Sequence, residues 1–306
     1  MHWLLFMAAI EVVAPTAALV EPFAVAKDRQ GNLYICEHKG QKITKVSPGG
    51  AISRFAGTGN AGYGGDNGPA GAASFTDPHG IVISPDGRMF VADTQNHRIR
   101  AIDLRTGIVT TIAGAGERGY SGDGGPAVEA RFDGTFGIAL GRGKLYVADL
   151  GNRRVRVIDL RTGIVTTAAG NGERGVPPDG AEAARSPLVD PRAVAVGPAG
   201  DLYILERNGN ALRVVDTAGR IRTLIAPGSV KPDLKGPKHL CVDPDGGVVI
   251  ADAENHLIRR FLNGALTTID MGPLKRPHGV YVDRSGTLYV ADSDNHRVLR
   301  VKSPWR

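Results

Sequence analysis

The chain is cut into short apolar runs by turns rich in Gly, Asp and Pro. Ile81-Val82-Ile83 leads into Pro85-Asp86-Gly87, and Met89 to Ala92 follows as a second run. Arg98 to Ile102 makes a third, and Ile108 to Ile112 a fourth after Arg105-Thr106-Gly107. The apolar residues are β-branched or aromatic and the runs too short for helices, so each reads as a β-strand. Nothing of helical period and length competes with them. The pattern then repeats. One frame runs from a Pro-x-Gly-like start through an alternating strand, an Asp-Gly turn, a Leu-Tyr-Val-Ala-Asp strand and an Asn-His-Arg turn to a basic, aliphatic strand. Its copies begin at Pro22, Pro78, Thr135, Pro191, Pro237 and Pro277. Four antiparallel strands repeated at roughly 40 residues or more form a propeller blade. The sequence therefore predicts an all-β, six-bladed β-propeller of four-stranded antiparallel blades, a single unit over residues 21–306.

Composition agrees with that picture and adds little chemistry. Of 306 residues 42% are hydrophobic and 22% charged, enough for a real core. The 42 glycines and 19 prolines suit many tight turns. The formal charge of +6 points to an acidic partner, but Lys and Arg are scattered with no run of five. Nucleic-acid binding is only weakly supported on that ground. Cys36 and Cys241 fall at non-equivalent places of different blades, so two buried free thiols are expected. The apolar stretch Trp3 to Ile10 is far below the roughly 20 residues of a membrane span, so no transmembrane segment is expected. Two readings of residues 1–20 stand side by side. Residues 1–18 could be a signal peptide, with Ala14 to Ala18 offering small residues for cleavage; the protein would then be secreted or periplasmic, and otherwise cytoplasmic. Alternatively, Leu4 to Ile10 supplies the fourth strand that the last blade, ending at Arg306, lacks.

The repeat also carries a resemblance. Tyr146-Val147-Ala148-Asp149-Leu150-Gly151-Asn152-Arg153-Arg154-Val155 and its counterparts resemble the NHL repeat, and Asn255-His256-Leu257 reproduces its letters. The resemblance covers residues 21–301. Blade 4 departs from it with a turn one residue longer, Leu205 to Asn210, and blade 1 puts Glu37 for Asp and Gly40 for Asn. NHL propellers serve as protein-binding, RNA-binding and enzymatic scaffolds, so the fold leaves function open. The acid closing each second strand (Glu37, Asp93, Asp149, Glu206, Asp252, Asp292) recurs in every blade and is expected to fix the following turn. His97, His256 and His296 are read as structural for the same reason.

Residues that differ from blade to blade are the better candidates for function. Propeller geometry brings the position before each inner strand to one channel mouth, giving a ring of Phe23, His79, Phe136, Arg192, Lys238 and His278. His239 joins from the next position, where small residues otherwise prevail. The Pro78-His79-Gly80 and Pro277-His278-Gly279 starts resemble the zinc site of peptidylglycine amidating lyase, which implies His79 and His278 as metal ligands. The third ligand position holds Arg192, which has no free lone pair, so the three-His site is broken. Pro78-His79-Gly80-Ile81 also resembles gluconolactonase and regucalcin-like propellers, but His79 stands where their Asn does and no inward acid is evident apart from Glu21, which precedes Pro22. Without metal, two imidazoles and two cations at a mouth could hold a carboxylate or phosphate. A second candidate surface is the set of long Gly-rich connections, with Tyr63 and Asp66, then Tyr120 and Asp123, then Asp179. They are expected on the same face, where the Asp residues could cap turns or hold Ca²⁺. The expectation is a monomeric binding module that takes a protein or a small anionic ligand on its loop-bearing face. The alternatives are a metal-dependent lyase or lactonase-type hydrolase, with Zn or Ca, and an RNA-binding propeller.

Overall fold

The computed structural model describes residues 9–305. Six antiparallel sheets stand in a ring. Their inner strands are Pro22–Lys27, Ile81–Ile83, Thr135–Gly141, Pro191–Val196, His239–Val242 and Gly279–Val282, and each sheet runs outward in chain order except for the outermost strands of blades 4 and 6, which come from earlier in the chain. The core lies between neighbouring sheets, for example where Ile35, Leu33 and Val46 of blade 1 meet Tyr289, Ala291 and Val298 of blade 6. Inner strands touch closely. A Cβ on Gly279 would sit 2.3 Å from the Phe23 carbonyl oxygen, one on Gly80 2.8 Å from that of Phe136, and one on Gly137 2.6 Å from the Ala193 Cα. The small residues after five of the six mouth positions therefore let adjacent blades approach. Both thiols are free, and burial pushes each of them up.

The last blade is completed by Glu11–Ala14, which pairs with Arg297–Lys302 in the register Glu11↔Arg300, Val12↔Leu299 and Ala14↔Val298. That strand lies just beyond the Leu4 to Ile10 run offered by the sequence. Ala9 and Ile10 are outside the strand, and the rest of that run lies outside the described residues. Among the described residues no helix is long and apolar enough to cross a membrane.

Two repeated devices hold the blades. The acid at the end of each second strand is fully buried and accepts the backbone N–H of the segment entering its own blade: Glu37 from Val20, Asp93 from Thr76, Asp149 from Asp133, Glu206 from Val189, Asp252 from Lys235 and Asp292 from Lys275. In four blades the following Asn also donates to it, as Asn96 does to Asp93 at 2.9 Å. Buried Arg100, Arg156, Arg213 and Arg259 neutralise the acids of blades 2 to 5.

The second device is the turn residue in the left-handed region. His97, His256 and His296 have φ of 53°, 60° and 52°. Each Nδ1 accepts a backbone N–H from the next blade, that of Gly134, Arg276 and Glu21 respectively. Gln41 and Asn210 do the same in blades 1 and 4, accepting from Asp77 and Gly236. The turn histidine is thus a staple between blades.

Candidate functional site at the channel mouth

The structure brings the predicted ring together. Phe23, His79, Phe136, Arg192, Lys238, His239 and His278 line one mouth, and the free space among them is only about 10 Å³. That is room for about one water molecule. The mouth is plugged by rings. Phe23 lies between His278, stacked at 4.0 Å, and His38, stacked at 4.2 Å. His79 meets Phe23, His38 and Phe136 edge-on at 5.0, 4.7 and 4.6 Å. The Arg192 guanidinium covers the face of Phe136 at 4.3 Å.

His79 and His278 are oriented alike because their sequences are alike. The Nδ1–H of His79 donates to the Asp77 carbonyl at 2.8 Å and that of His278 to the Arg276 carbonyl at 3.0 Å, which leaves each Nε2 as a lone pair. Burial and then the Arg192 charge hold both imidazoles well below the usual histidine range, so they are neutral. His239 is pushed down to about 4 by burial and then by Arg192, and its Nδ1 accepts the Val280 N–H at 3.5 Å. Lys238 falls to about 8 through burial and then the charges of Arg207 and Arg192. Among the described residues no group of three or more His, Cys, Asp or Glu side chains is placed to hold a metal ion.

The cations are the unusual feature. Arg192 is 6% exposed, yet no carboxylate and no hydrogen-bond acceptor engages its guanidinium among the described residues. Asp190, the nearby acid, is occupied by the backbone N–H groups of Asn208 and Gly209. Lys238 is 5% exposed and has only Glu254 at 3.6 Å, which Arg276 shares at 3.1 Å. Arg207 stands exposed on the adjoining turn, close enough to depress both neighbours.

Sequence reasoning missed His38 and Arg207. Both occupy the position after the buried acid, where blades 2 and 6 carry Thr94 and Ser293. Those small hydroxyls hydrogen-bond the next blade, at the carbonyls of Thr135 and Pro22, 2.6 Å away in each case. Reading that column, which continues with Leu150 and Ala253 in blades 3 and 5, would have shown His38 and Arg207 as its two basic members beside the mouth.

The long connections do something else. Each leaves an outer strand and lies along the outer edge of the following blade. Asn67 N–H donates to the Val109 carbonyl, Gly124 N–H to that of Val165 and Gly180 N–H to that of Ile221. In blade 4 the connection forms a fifth strand, Ala181–Glu182. Tyr63 donates to Asp66 and Tyr120 to Asp123, while Asp66 and Asp123 pair with buried Arg100 and Arg156 at 2.7 and 2.6 Å. Asp179 accepts the Thr223 N–H at 2.7 Å. These acids tie the connection to the sheet edge.

The NHL repeat family model matches residues 75–102, 234–261 and 274–300. The chain is 29% identical over 190 residues to human NHL repeat-containing protein 2, covering 58% of this chain and 25% of that protein. It is 30% identical over 152 residues to the chloroplastic protein SUPPRESSOR OF QUENCHING 1 of Arabidopsis thaliana, 47% of this chain and 14% of that one. The matches thus span about a quarter or less of these relatives' own length. Among solved structures, a gluconolactonase from Xanthomonas campestris superposes with a TM-score of 0.70 at 13% identity, over 99% of this chain and 93% of that one. Virginiamycin B lyase from Staphylococcus aureus does so with a TM-score of 0.58 at 16% identity, over 92% and 81%. At that identity these two show a shared fold.

Proposed function

We propose that this chain, a six-bladed propeller of the NHL-repeat family, is a binding module that recognises an acidic group of a protein partner at its channel mouth. The observation that carries the reading is Arg192: a largely buried residue whose guanidinium has no ion pair or hydrogen bond among the described residues, beside Lys238 and Arg207. Its nitrogens are not among the fully buried unpaired atoms, so they face the mouth, where an incoming carboxylate can meet them with charge-assisted hydrogen bonds. The plugged mouth favours docking over engulfment, since about 10 Å³ admits no substrate. An acidic side chain laid across the rings needs no pocket. Calorimetry with a glutamate-rich peptide tests this. Saturable binding is expected at low salt, and Arg192→Met is expected to weaken it about tenfold or more. Equal binding by Arg192→Met, or none by the parent chain, defeats the reading.

A second reading rests on the imidazoles. Metal-binding histidines commonly donate their other ring N–H to a backbone carbonyl, and His79 and His278 do so. With Arg192 in the third place, two His ligands would need further donors from a substrate or water. Elemental analysis of protein purified without a metal-affinity tag separates the readings: stoichiometric zinc supports a metal-dependent lyase or hydrolase, and trace amounts remove it.

A further inference from the structure

The opposite end of the propeller carries a different chemistry. Lys27 lies four residues beyond Phe23 on the same inner strand, hence about 13 Å away at the opposite end. There blades 6, 1 and 2 surround a basin of about 1140 Å³, far larger than the plugged end. Its acids are all committed. Asp28 receives the Asn32 backbone and side-chain N–H groups at 2.8 and 2.7 Å. Asp86 is held by Ser84 and Arg88, and Asp103 accepts the N–H groups of Arg105 and Thr106, both at 2.8 Å. Asp283 binds Lys27 at 2.8 Å and the backbone of Ser285 and Thr287.

Of its five cations only Lys27 is committed. Arg29, Arg105 and Arg284 stand exposed at three hairpin tips, one on each blade, and Lys45 lines the wall with its ammonium 5.9 Å from the Tyr34 ring centre. Among the described residues none of the four side chains has an ion pair or a hydrogen bond. The Tyr281 hydroxyl, also in the lining, likewise has no hydrogen bond. Unpaired cations on three separate blades match a ligand with several anionic groups better than a single ion. The volume suits a small molecule.

We propose that this basin binds a compact polyanion bearing several phosphate or carboxylate groups, with Arg29, Arg105 and Arg284 closing on it from three blades and Lys45 and Tyr281 donating from the wall. The site is independent of the acidic-group site at the plugged mouth. Calorimetry of the full chain with sodium tripolyphosphate tests it, with citrate and a single-stranded oligonucleotide titrated in parallel. One-to-one binding of tripolyphosphate or citrate is expected, and whichever binds more tightly identifies the anion type. The triple variant Arg29→Ala, Arg105→Ala, Arg284→Ala should weaken binding about tenfold or more. Lys45→Met should weaken it less, and Arg192→Met at the plugged mouth should leave it unchanged. The hairpin-tip side chains make no contacts that the fold relies on, and circular dichroism verifies the fold. Binding that survives the triple variant, disappears in Arg192→Met, or is absent for both small anions overturns the proposal. So does tighter binding of the oligonucleotide, which would mean an extended surface and not a basin.

Discussion

At the scale of single residues, the mouth is governed by a charge that has no partner. The Arg192 guanidinium cannot lose its proton in practice, so its field falls on the nearest titratable groups. It is the second cause, after burial, of the depressed basicity of His79, His278 and His239. An ordinary histidine with a pKa of about 6.5 is largely protonated at pH 5.5. His79 and His278 should instead keep the neutral-form ring shifts at that pH in an NMR titration. In Arg192→Met the midpoints of both should rise, because the charged imidazolium no longer faces a cation. Titration near 6.5 in the parent chain, or no change in the variant, would show that Arg192 does not set the field. The same field gives binding a pH dependence. Lys238 ionises with a pKa of about 8, so its charge is present below that pH and lost above it. Affinity for a glutamate-rich peptide should therefore fall as pH rises from 7 through 9, measured calorimetrically at constant ionic strength.

At the scale of the element, the turn residue is a latch that chemistry can replace. His256 accepts the Arg276 N–H at 3.0 Å, an interaction that joins blade 5 to the entry of blade 6. His256→Ala should cost about 1–2 kcal/mol in urea unfolding, since it strands a backbone donor. His256→Asn or His256→Gln should recover much of that loss, because Asn210 and Gln41 already do this work in blades 4 and 1. Failure of both to recover stability would mean that ring packing, not the acceptor, is what the position supplies. The blade frame was legible in the sequence because its cause is local: the Asp, the Asn and the turn residue sit within four positions of one another. The mouth ring was legible too, since one column of the repeat maps onto one circle. His38 and Arg207 escaped because they belong to a mixed column, with Thr94 and Ser293 serving the next blade and Leu150 and Ala253 apolar, so no shared role marks it. The connections escaped for a different reason. Asn67 meets Val109 across 42 positions, and nothing in a Gly-rich segment encodes which edge it will cover.

At the scale of the whole molecule, a ring of blades is only as cooperative as its closure. Each blade interface buries the faces of two sheets, but the interface between blades 6 and 1 must hold the two ends of the chain together. Several contacts converge there: the Glu11–Ala14 strand on Arg297–Lys302, the Ser293 hydroxyl on the Pro22 carbonyl at 2.6 Å, the His296 staple on Glu21, and the Lys27–Asp283 pair at 2.8 Å. Their weights differ greatly. The Glu11–Arg300 pair at 2.6 Å is exposed on both sides, and exposed pairs contribute little to stability. Glu11→Ala should therefore leave thermal unfolding nearly unchanged. Removing residues 1–14 is a different matter, because it uncovers the edge of Arg297–Lys302 along with the buried Val298 and Leu299. An unpaired edge of that kind recruits another strand. The truncated chain should unfold at lower urea, with a broader transition as the ring opens before the blades melt. On size exclusion it should shift to larger species with rising concentration, while the parent chain should not. If the truncated chain kept a single sharp transition and its elution volume, closure would rest on the side-chain contacts alone, and Ser293→Ala would then become the substitution that opens the ring.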